Sequence, residues 1–236
     1  MMEGEVMKRW FSAVAIMLLL LVRAPAVAGE LQDLVNDARS TVLDFSVDPN
    51  LAGFREIAKR AKALLIIPRL GKGGLIFGGS GGSGVLLARE PQSGTWSYPA
   101  FYTMSSVTVG AQIGGQVAQV ILVVMSDRGL DSMLASSVKL GTAVEVAAGP
   151  VGTGANAATA DILSYSRNKG LFGGATIEGA WVAEREGWNA EYYGQSVRPV
   201  EILRDRKVSN PQADALREVV AKVTESVPTA ANTSSP

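Results

Sequence analysis

The 236-residue chain contains no cysteine and no histidine. Without cysteine the fold has no disulfide, no cysteine for lipid attachment and no thiolate nucleophile, so the domain depends on its packed core. Without histidine the Ser-His-Asp triad, the Cys-His dyad and the usual zinc sites are excluded. Any enzymatic chemistry would therefore rest on carboxylate, lysine or tyrosine side chains.

An excess of positive charge is also missing, because 22 basic residues face 22 acidic ones. Proteins that bind nucleic acid usually carry a marked basic excess, so nucleic acid is not expected as a partner. Beyond the segment 1–28 no apolar run is long enough to cross a bilayer. The most apolar one, 120–125, has the length of a strand.

The segment 1–28 has the pattern of a secretory signal peptide. Lys8 and Arg9 precede an apolar stretch over 10–22, and Ala26-Val27-Ala28 forms an A-x-A cleavage site. The apolar stretch falls short of the roughly 20 residues that a membrane span needs, although an uncleaved anchor stays open. We expect cleavage after Ala28, a periplasmic or secreted protein, one domain over 29–225 and a disordered tail over 226–236.

Helical spacing of apolar residues and cap residues followed by proline predict four helices. They are expected over 30–46, from Asp48-Pro49 to an end at Pro68, over 128–136 after a Ser126 or Asp127 cap, and from Asn210-Pro211 onward.

Between the second and last helices the apolar period falls to two, and glycine is common within the strand-like runs. Glycine inside a strand marks a bulge, a bend or a close backbone approach. We expect an α+β fold: N-terminal helices, a strongly curved, glycine-rich, mainly antiparallel and barrel-like sheet, one inserted short helix and a C-terminal helix. Strands are predicted at 84–89, 107–113, 116–125, 139–148, 159–166, 174–185 and 188–193.

The segment 79–84 has the G-x-G-x-x-G spacing of a dinucleotide-binding loop. Such a loop holds phosphate at the N-terminus of a following helix, whereas here 85–89 predicts another strand. A glycine-rich hairpin or bulged strand pair is the better interpretation. Gly79, Gly81, Gly82 and Gly84 would then provide positive φ in a turn and close strand approach.

Several stretches in order, among them "GGLIFGGSGGSGVLLARE", "VGAQIGGQVAQVILVVMSDRGLDSML" and "ILSYSRNKGLFGGATIEGAWV", resemble the SYLF lipid-binding domain over about 50–205. The resemblance implies one α+β domain without known catalysis or cofactor. It implies phosphoinositide binding in eukaryotic members, actin binding in some fungal ones, and a secreted lipid-binding protein in bacteria. The chain departs from the eukaryotic pattern at Gln116 and Gln119, where acids are common, and at Ser80 and Gly81.

Two basic segments are the predicted contacts for anionic phospholipid at a membrane surface. The first is an amphipathic helix within 54–74, with six cations against one acid, Glu56; its apolar face from Phe54 either enters the interface or packs inward. The second is a hairpin tip in "SRNKGLFGG". The candidate residues are Arg55, Lys59, Arg60, Lys62, Arg69 and Lys72 in the first segment, and Arg167, Lys169, Leu171 and Phe172 in the second.

Two other functions stay open. One is an envelope domain that binds another protein or has a structural role. The other is a hydrolase, which would need two facing carboxylates. The candidate carboxylates are Asp127, Asp131, Glu145, Asp161 and Glu178.

Overall fold

The computed structural model describes residues 24–74, 77–109, 116–149, 160–168, 177 and 179–225. These residues form an α+β fold with six α-helices and one eight-stranded sheet. The elements are α1 (Ala24–Val47), α2 (Ala52–Ala58), β1 (Ala63–Gly74), β2 (Phe77–Ala88), β3 (Ala100–Val109), β4 (Gln116–Val124), α3 (Asp127–Met133), β5 (Ser137–Lys139), β6 (Val146–Ala148), β7 (Ile162–Asn168), β8 (Trp181–Glu184), α4 (Glu186–Tyr193), α5 (Pro199–Leu203) and α6 (Asp214–Thr224).

The sheet is strongly curled, as the glycine content predicted. Its strand order is β5-β8-β3-β2-β1-β4-β7-β6, and every pair is antiparallel except β6 with β7. The two edge strands are separated by only a short stretch of chain, from Lys139 to Val146, which spans at most about 25 Å. Seven strand spacings in a flat sheet would require about 34 Å. The sheet must therefore curl to bring its edges together, and the prediction of a mainly antiparallel, barrel-like sheet is confirmed.

Both faces of the sheet are buried. The inner face packs Leu65, Leu86, Tyr102 and Leu122 with residues of α3, α5 and the turn between the edge strands. The outer face is covered by α1, α2, α4 and α6. None of the described helices combines the length and apolar character required to cross a bilayer.

Three of the four predicted helices are present. The first, α1, buries Leu31, Val35 and Phe45 against the sheet. The inserted helix α3 is capped by Ser126, whose hydroxyl accepts a hydrogen bond from the Gly129 amide at 2.9 Å. Asn210 accepts from the Gln212 amide and begins the 3₁₀ turn Pro211–Ala213 that leads into α6.

The prediction of one helix from Asp48 to Pro68 is wrong. A 3₁₀ turn, Pro49–Leu51, leads into α2, which ends at Ala58; the apolar run that follows is the central strand β1. Pro68 lies within this strand at a β-bulge, where Pro68 and Arg69 together oppose Gln119 of β4. Proline has no amide proton for the strand ladder and is tolerated at a bulge. A short buried apolar run does not distinguish helix from strand by its period.

The strand predictions at 188–193 and 139–148 also need correction. Residues 188–193 belong to α4, which Gly194 ends with a left-handed φ of 68°. The segment 139–148 divides into the end of β5 and β6, separated by a turn at Gly141 with φ of 80°. Of the predicted strand 174–185, the described residues form β8 only.

The glycine segment 79–84 lies inside β2, between β1 and β3, and not in a turn. The strand continues to Ala88, so the helix that a phosphate loop requires does not follow. Close approach is confirmed at Gly84, where an added Cβ would lie 2.2 Å from the Ile66 carbonyl oxygen. The positive φ is wrong, because φ is not positive at Gly79, Gly81, Gly82 or Gly84.

Candidate functional site

The structure divides the basic residues predicted within 54–74 into separate groups. Lys59, Arg60 and Lys62 precede β1 and form what we call the sheet base. Arg69 and Lys72 lie in the second half of β1. The length of strand between Lys62 and Lys72 corresponds to about 30 Å. The prediction of one continuous basic amphipathic helix is therefore wrong, because most of its length is strand.

Side chains of the sheet base are partly engaged within the protein. Lys59 Nζ lies 3.0 Å from Glu56 Oε1, and Lys62 Nζ lies 2.7 Å from Asp127 Oδ1. The side chain of Arg60 is exposed and has no hydrogen bond or ion pair with another described residue. The base is thus a surface of mixed charge.

The apolar face of α2 packs inward and does not reach solvent. Phe54 is fully buried and makes edge-to-face ring contacts with Phe45 and Tyr165 at centroid distances of 5.5 and 5.4 Å. Arg55 donates from Nη1 to the Ser46 carbonyl at 3.0 Å. Both residues fasten α2 to the end of α1, which agrees with the inward-packing alternative.

The ends of β1, β4 and β7 meet at the opposite end of the sheet. Gly71 pairs with Val117, and Ala118 pairs with Asn168, the last residue of β7. We call this end, with the residues Arg69, Lys72, Val117 and Arg167, the sheet tip. Two of its side chains are well exposed, Arg69 by 74% and Val117 by 61%.

Not every candidate at the tip is described in full. Only the backbone of Lys72 is described, at its pairing with Gln116. Lys169, Leu171 and Phe172 lie outside the described residues; in the sequence they follow Asn168 directly. Their role stays a prediction.

Both arginines of the tip are paired with carboxylates that the sequence did not reveal as their partners. Arg69 Nη2 donates to Asp37 on α1. Arg167 donates from Nε to Asp48 at 3.0 Å, and its Nη1 lies 3.2 Å from Asp44 Oδ2. Two arginines thus face three aspartates, a local net charge of −1. The partners lie far apart along the chain, so local sequence patterns could not predict these pairs.

Asp48 anchors this network. Its side chain is only 6% exposed and also accepts a hydrogen bond from the Asn50 amide at 2.9 Å. Burial alone would raise the pKa of Asp48, but the hydrogen bonds from Asn50 and Arg167 outweigh it and lower the pKa below its usual value. Asp48 is therefore charged at neutral pH.

Three of the described carboxylates considered for hydrolysis have structural partners. Asp127 pairs with Lys62, and Asp131 pairs with Arg204. Asp161 accepts from the Ser126 hydroxyl and from the Glu145 amide. Glu178 lies outside the described residues. Within the described part of the chain no group of acidic residues is arranged to hold a metal ion.

A cleft of about 360 Å³ borders the tip, between residues 30–37 of α1, strands β1 and β2, and Trp188. Glu30 and Asp33 line it next to Asp37 and Arg69. Neither Glu30 nor Asp33 forms an ion pair with another described residue, so they extend the acidic edge of α1 without neutralising an arginine.

Known proteins match most of this chain. A family model described as "Ysc84: Las17-binding protein actin regulator" matches residues 105–223, half of the chain. Protein YSC84 of Saccharomyces cerevisiae is 35% identical over 172 residues, covering 70% of this chain and 36% of its own length. The human SH3 domain-containing YSC84-like protein 1 is 30% identical over 175 residues, covering 72% of this chain and 51% of its own. The chain thus spans between a third and about half of these relatives, whose names refer to no reaction.

Proposed function

Because the chain belongs to the Ysc84 (SYLF) family, we propose that it is a non-catalytic lipid-binding protein of the bacterial cell envelope. In this proposal the sheet tip contacts the anionic headgroups of phospholipid at a membrane surface. The signal-peptide pattern of the segment 1–28 supports a periplasmic or secreted location.

One observation carries the proposal: an exposed apolar side chain, Val117, lies close to the exposed Arg69 at the sheet tip. Val117 pairs with Gly71, which follows Arg69 and Leu70 on β1. Peripheral membrane binding combines buried apolar area with attraction to anionic lipid. The other large apolar side chains that are exposed among the described residues, Leu43, Val47 and Trp181, are not sequence neighbours of the three cations of the sheet base.

The expected affinity is low, which suits reversible contact. Three cations near an anionic leaflet contribute at most about 3 kcal/mol, the aspartates that face the two arginines reduce this contribution, and burying the valine adds about 1 kcal/mol. The dissociation constant is therefore expected to be about 1 mM or weaker. Lys169, Leu171 and Phe172, if they join the contact as the sequence predicts, would strengthen it.

Co-sedimentation with phosphatidylglycerol vesicles tests this proposal. Lys72→Gln at the tip and Arg60→Gln at the base each remove one positive charge, about 30 Å apart. We expect Lys72→Gln to weaken binding about threefold to fivefold and Arg60→Gln to have little effect, because this separation exceeds the Debye length of about 10 Å at 0.1 M salt. Wild-type protein that stays in the supernatant at low salt, or an equal loss at the base, would contradict it.

A second candidate function is protein binding in the envelope. Its support is Trp181 on β8, which is 50% exposed and lies under Lys139 Nζ at 5.8 Å from the ring. Exposed tryptophan is typical of protein interfaces. A partner captured by the wild type but not by Trp181→Ala, with unchanged vesicle binding, would favour this function.

The non-catalytic part of the proposal rests on the structural roles of Asp127, Asp131 and Asp161. A screen across ester and glycoside substrates tests it. Reproducible turnover that is lost in Asp127→Ala would show that the protein is a carboxylate-dependent hydrolase.

A further inference from the structure

We propose that α1 masks the headgroup-binding arginines of the sheet tip. In the structure Asp37 pairs with Arg69, and Asp44 and Asp48 pair with Arg167. An anionic headgroup must therefore compete with these carboxylates. The inference rests on the proposed function and adds its regulation: the acidic edge of α1 weakens binding, and its neutralisation strengthens it.

The geometry of the contacts supports competition by phosphate. Arg167 donates a hydrogen bond from Nε to Asp48 at 3.0 Å. Its Nη1 lies 3.2 Å from Asp44 Oδ2 in an ion pair and donates a hydrogen bond to Gln119 Oε1 at 3.2 Å. A planar guanidinium makes the same charge-assisted hydrogen bonds to phosphate oxygens as to carboxylate oxygens. Asp37 and Asp48 therefore stand where a headgroup phosphate would accept its hydrogen bonds. Asp44 adds negative charge beside Nη1 of Arg167.

The β-bulge explains why Arg69 takes part. Ile66 packs with the outer core and Leu70 with the inner one. The extra residue at Pro68 and Arg69 sets this change of register and directs Arg69 to the outer face, where α1 lies. In a regular strand, whose side chains alternate between the two faces, Ile66 and Leu70 would lie on the same face.

The three aspartates differ in their exposure to solvent, and therefore in how easily an anionic headgroup can displace them from the arginines. Asp37 and Asp44 are 39% and 43% exposed, and exposed ion pairs stabilise a fold only weakly. Asp48, at 6% exposure, also caps the turn after α1 and holds Arg167 in place. We therefore assign the mask to Asp37 and Asp44, and an anchoring role to Asp48.

Two double variants with equal charge change test the mask. Asp37→Asn/Asp44→Asn and Glu30→Gln/Asp33→Asn each remove two negative charges from α1, but only the first removes arginine partners. The amide oxygen introduced by Asp44→Asn can still accept the 2.9 Å hydrogen bond that Gln119 Nε2 donates to Asp44. The readout is partitioning onto mixed phosphatidylglycerol–phosphatidylcholine vesicles at low salt and at roughly physiological salt, with thermal unfolding as the check on folding.

We expect Asp37→Asn/Asp44→Asn to raise the partition coefficient about threefold to tenfold, and Glu30→Gln/Asp33→Asn to raise it less than twofold. Adding Arg69→Gln to the first variant should remove a large part of the gain. If the double variant fails to fold, the single changes Asp37→Asn and Asp33→Asn give the same comparison at exposed positions.

The possible failures are distinguishable. Equal gains in the two double variants, or no gain in either while the wild type binds, would overturn the mask and leave lipid binding intact. No binding by the wild type or any variant at low salt would overturn the proposed function itself. Binding only after Asp37→Asn/Asp44→Asn would support the mask but contradict membrane contact by the unmodified protein.

Discussion

Substituting Gly84 with alanine should destabilise the protein, whereas the same change at Gly81 should not. Both glycines lie in β2, and neither has a positive φ. At Gly84 an added Cβ would lie 2.2 Å from the Ile66 carbonyl oxygen and 2.9 Å from the carbonyl carbon. At Gly81 an added Cβ meets no atom within 4 Å.

The magnitude follows from this difference in space. Because the nearest obstructing group at Gly84, the Ile66 carbonyl, belongs to the backbone of the central strand β1, relief requires β1 and β2 to separate. Overpacking of this kind costs about 3 kcal/mol, which corresponds to a Tm lower by about 6–12 °C for a domain of this size. Alanine at Gly81 should leave Tm within about 2 °C or raise it, since alanine reduces the entropy of the unfolded chain.

Urea denaturation followed by circular dichroism, together with thermal melts, measures both variants under the same conditions. Equal stability of Gly84→Ala and Gly81→Ala would refute the reasoning, because it would mean that the close strand approach does not require glycine. A selective loss at Gly84 would show that this glycine serves strand packing.

Three further outcomes are expected. Phe54→Ala should lower the free energy of unfolding by about 3–5 kcal/mol in urea denaturation, because Phe54 is fully buried; a change under about 1 kcal/mol would place its ring at the surface. Ser126→Ala should cost about 1–2 kcal/mol through loss of the α3 cap, while Ser93→Ala, in an exposed turn, should cost less than about 0.5 kcal/mol. Asp48→Asn should be less stable than the wild type at pH 7, and the difference in stability should shrink below about pH 4. A carboxylate with a lowered pKa in the folded state stabilises the fold above its unfolded pKa and loses that effect as the pH falls through the folded pKa. A constant difference from pH 7 to pH 3 would contradict this.

Local patterns in the sequence predict those elements whose signals lie within a few residues. The apolar stripe of α1, the Ser126 cap and the Asn210-Pro211 start are of this kind, and the structure confirms all three. The abundance of glycine within strand-like runs was enough to predict a curled sheet. The family resemblance was likewise carried by contiguous motifs and is confirmed by the family match.

Features that depend on distant partners could not be predicted in this way. Pro68 is typical of a helix end, and only its pairing with β4 shows that it belongs to a bulge in a central strand. The aromatic residues of 188–193 favour a strand by propensity, yet packing against Phe101 and the Gly194 cap make them a helix. The sequence of 54–74 predicts six candidate cations in one segment. It does not predict their separation along β1 or the carboxylates with which they pair.

The orientation of the protein on a membrane tests the central claim most directly. Because the chain has no cysteine, a single introduced cysteine takes an environment-sensitive fluorophore at one known place, Val117→Cys at the sheet tip or Arg60→Cys at the base. On addition of phosphatidylglycerol vesicles we expect a blue shift and higher intensity from the label at position 117 and little change at position 60. A shift at position 60 alone, or at neither position while the protein sediments with the vesicles, would contradict a membrane contact at the sheet tip.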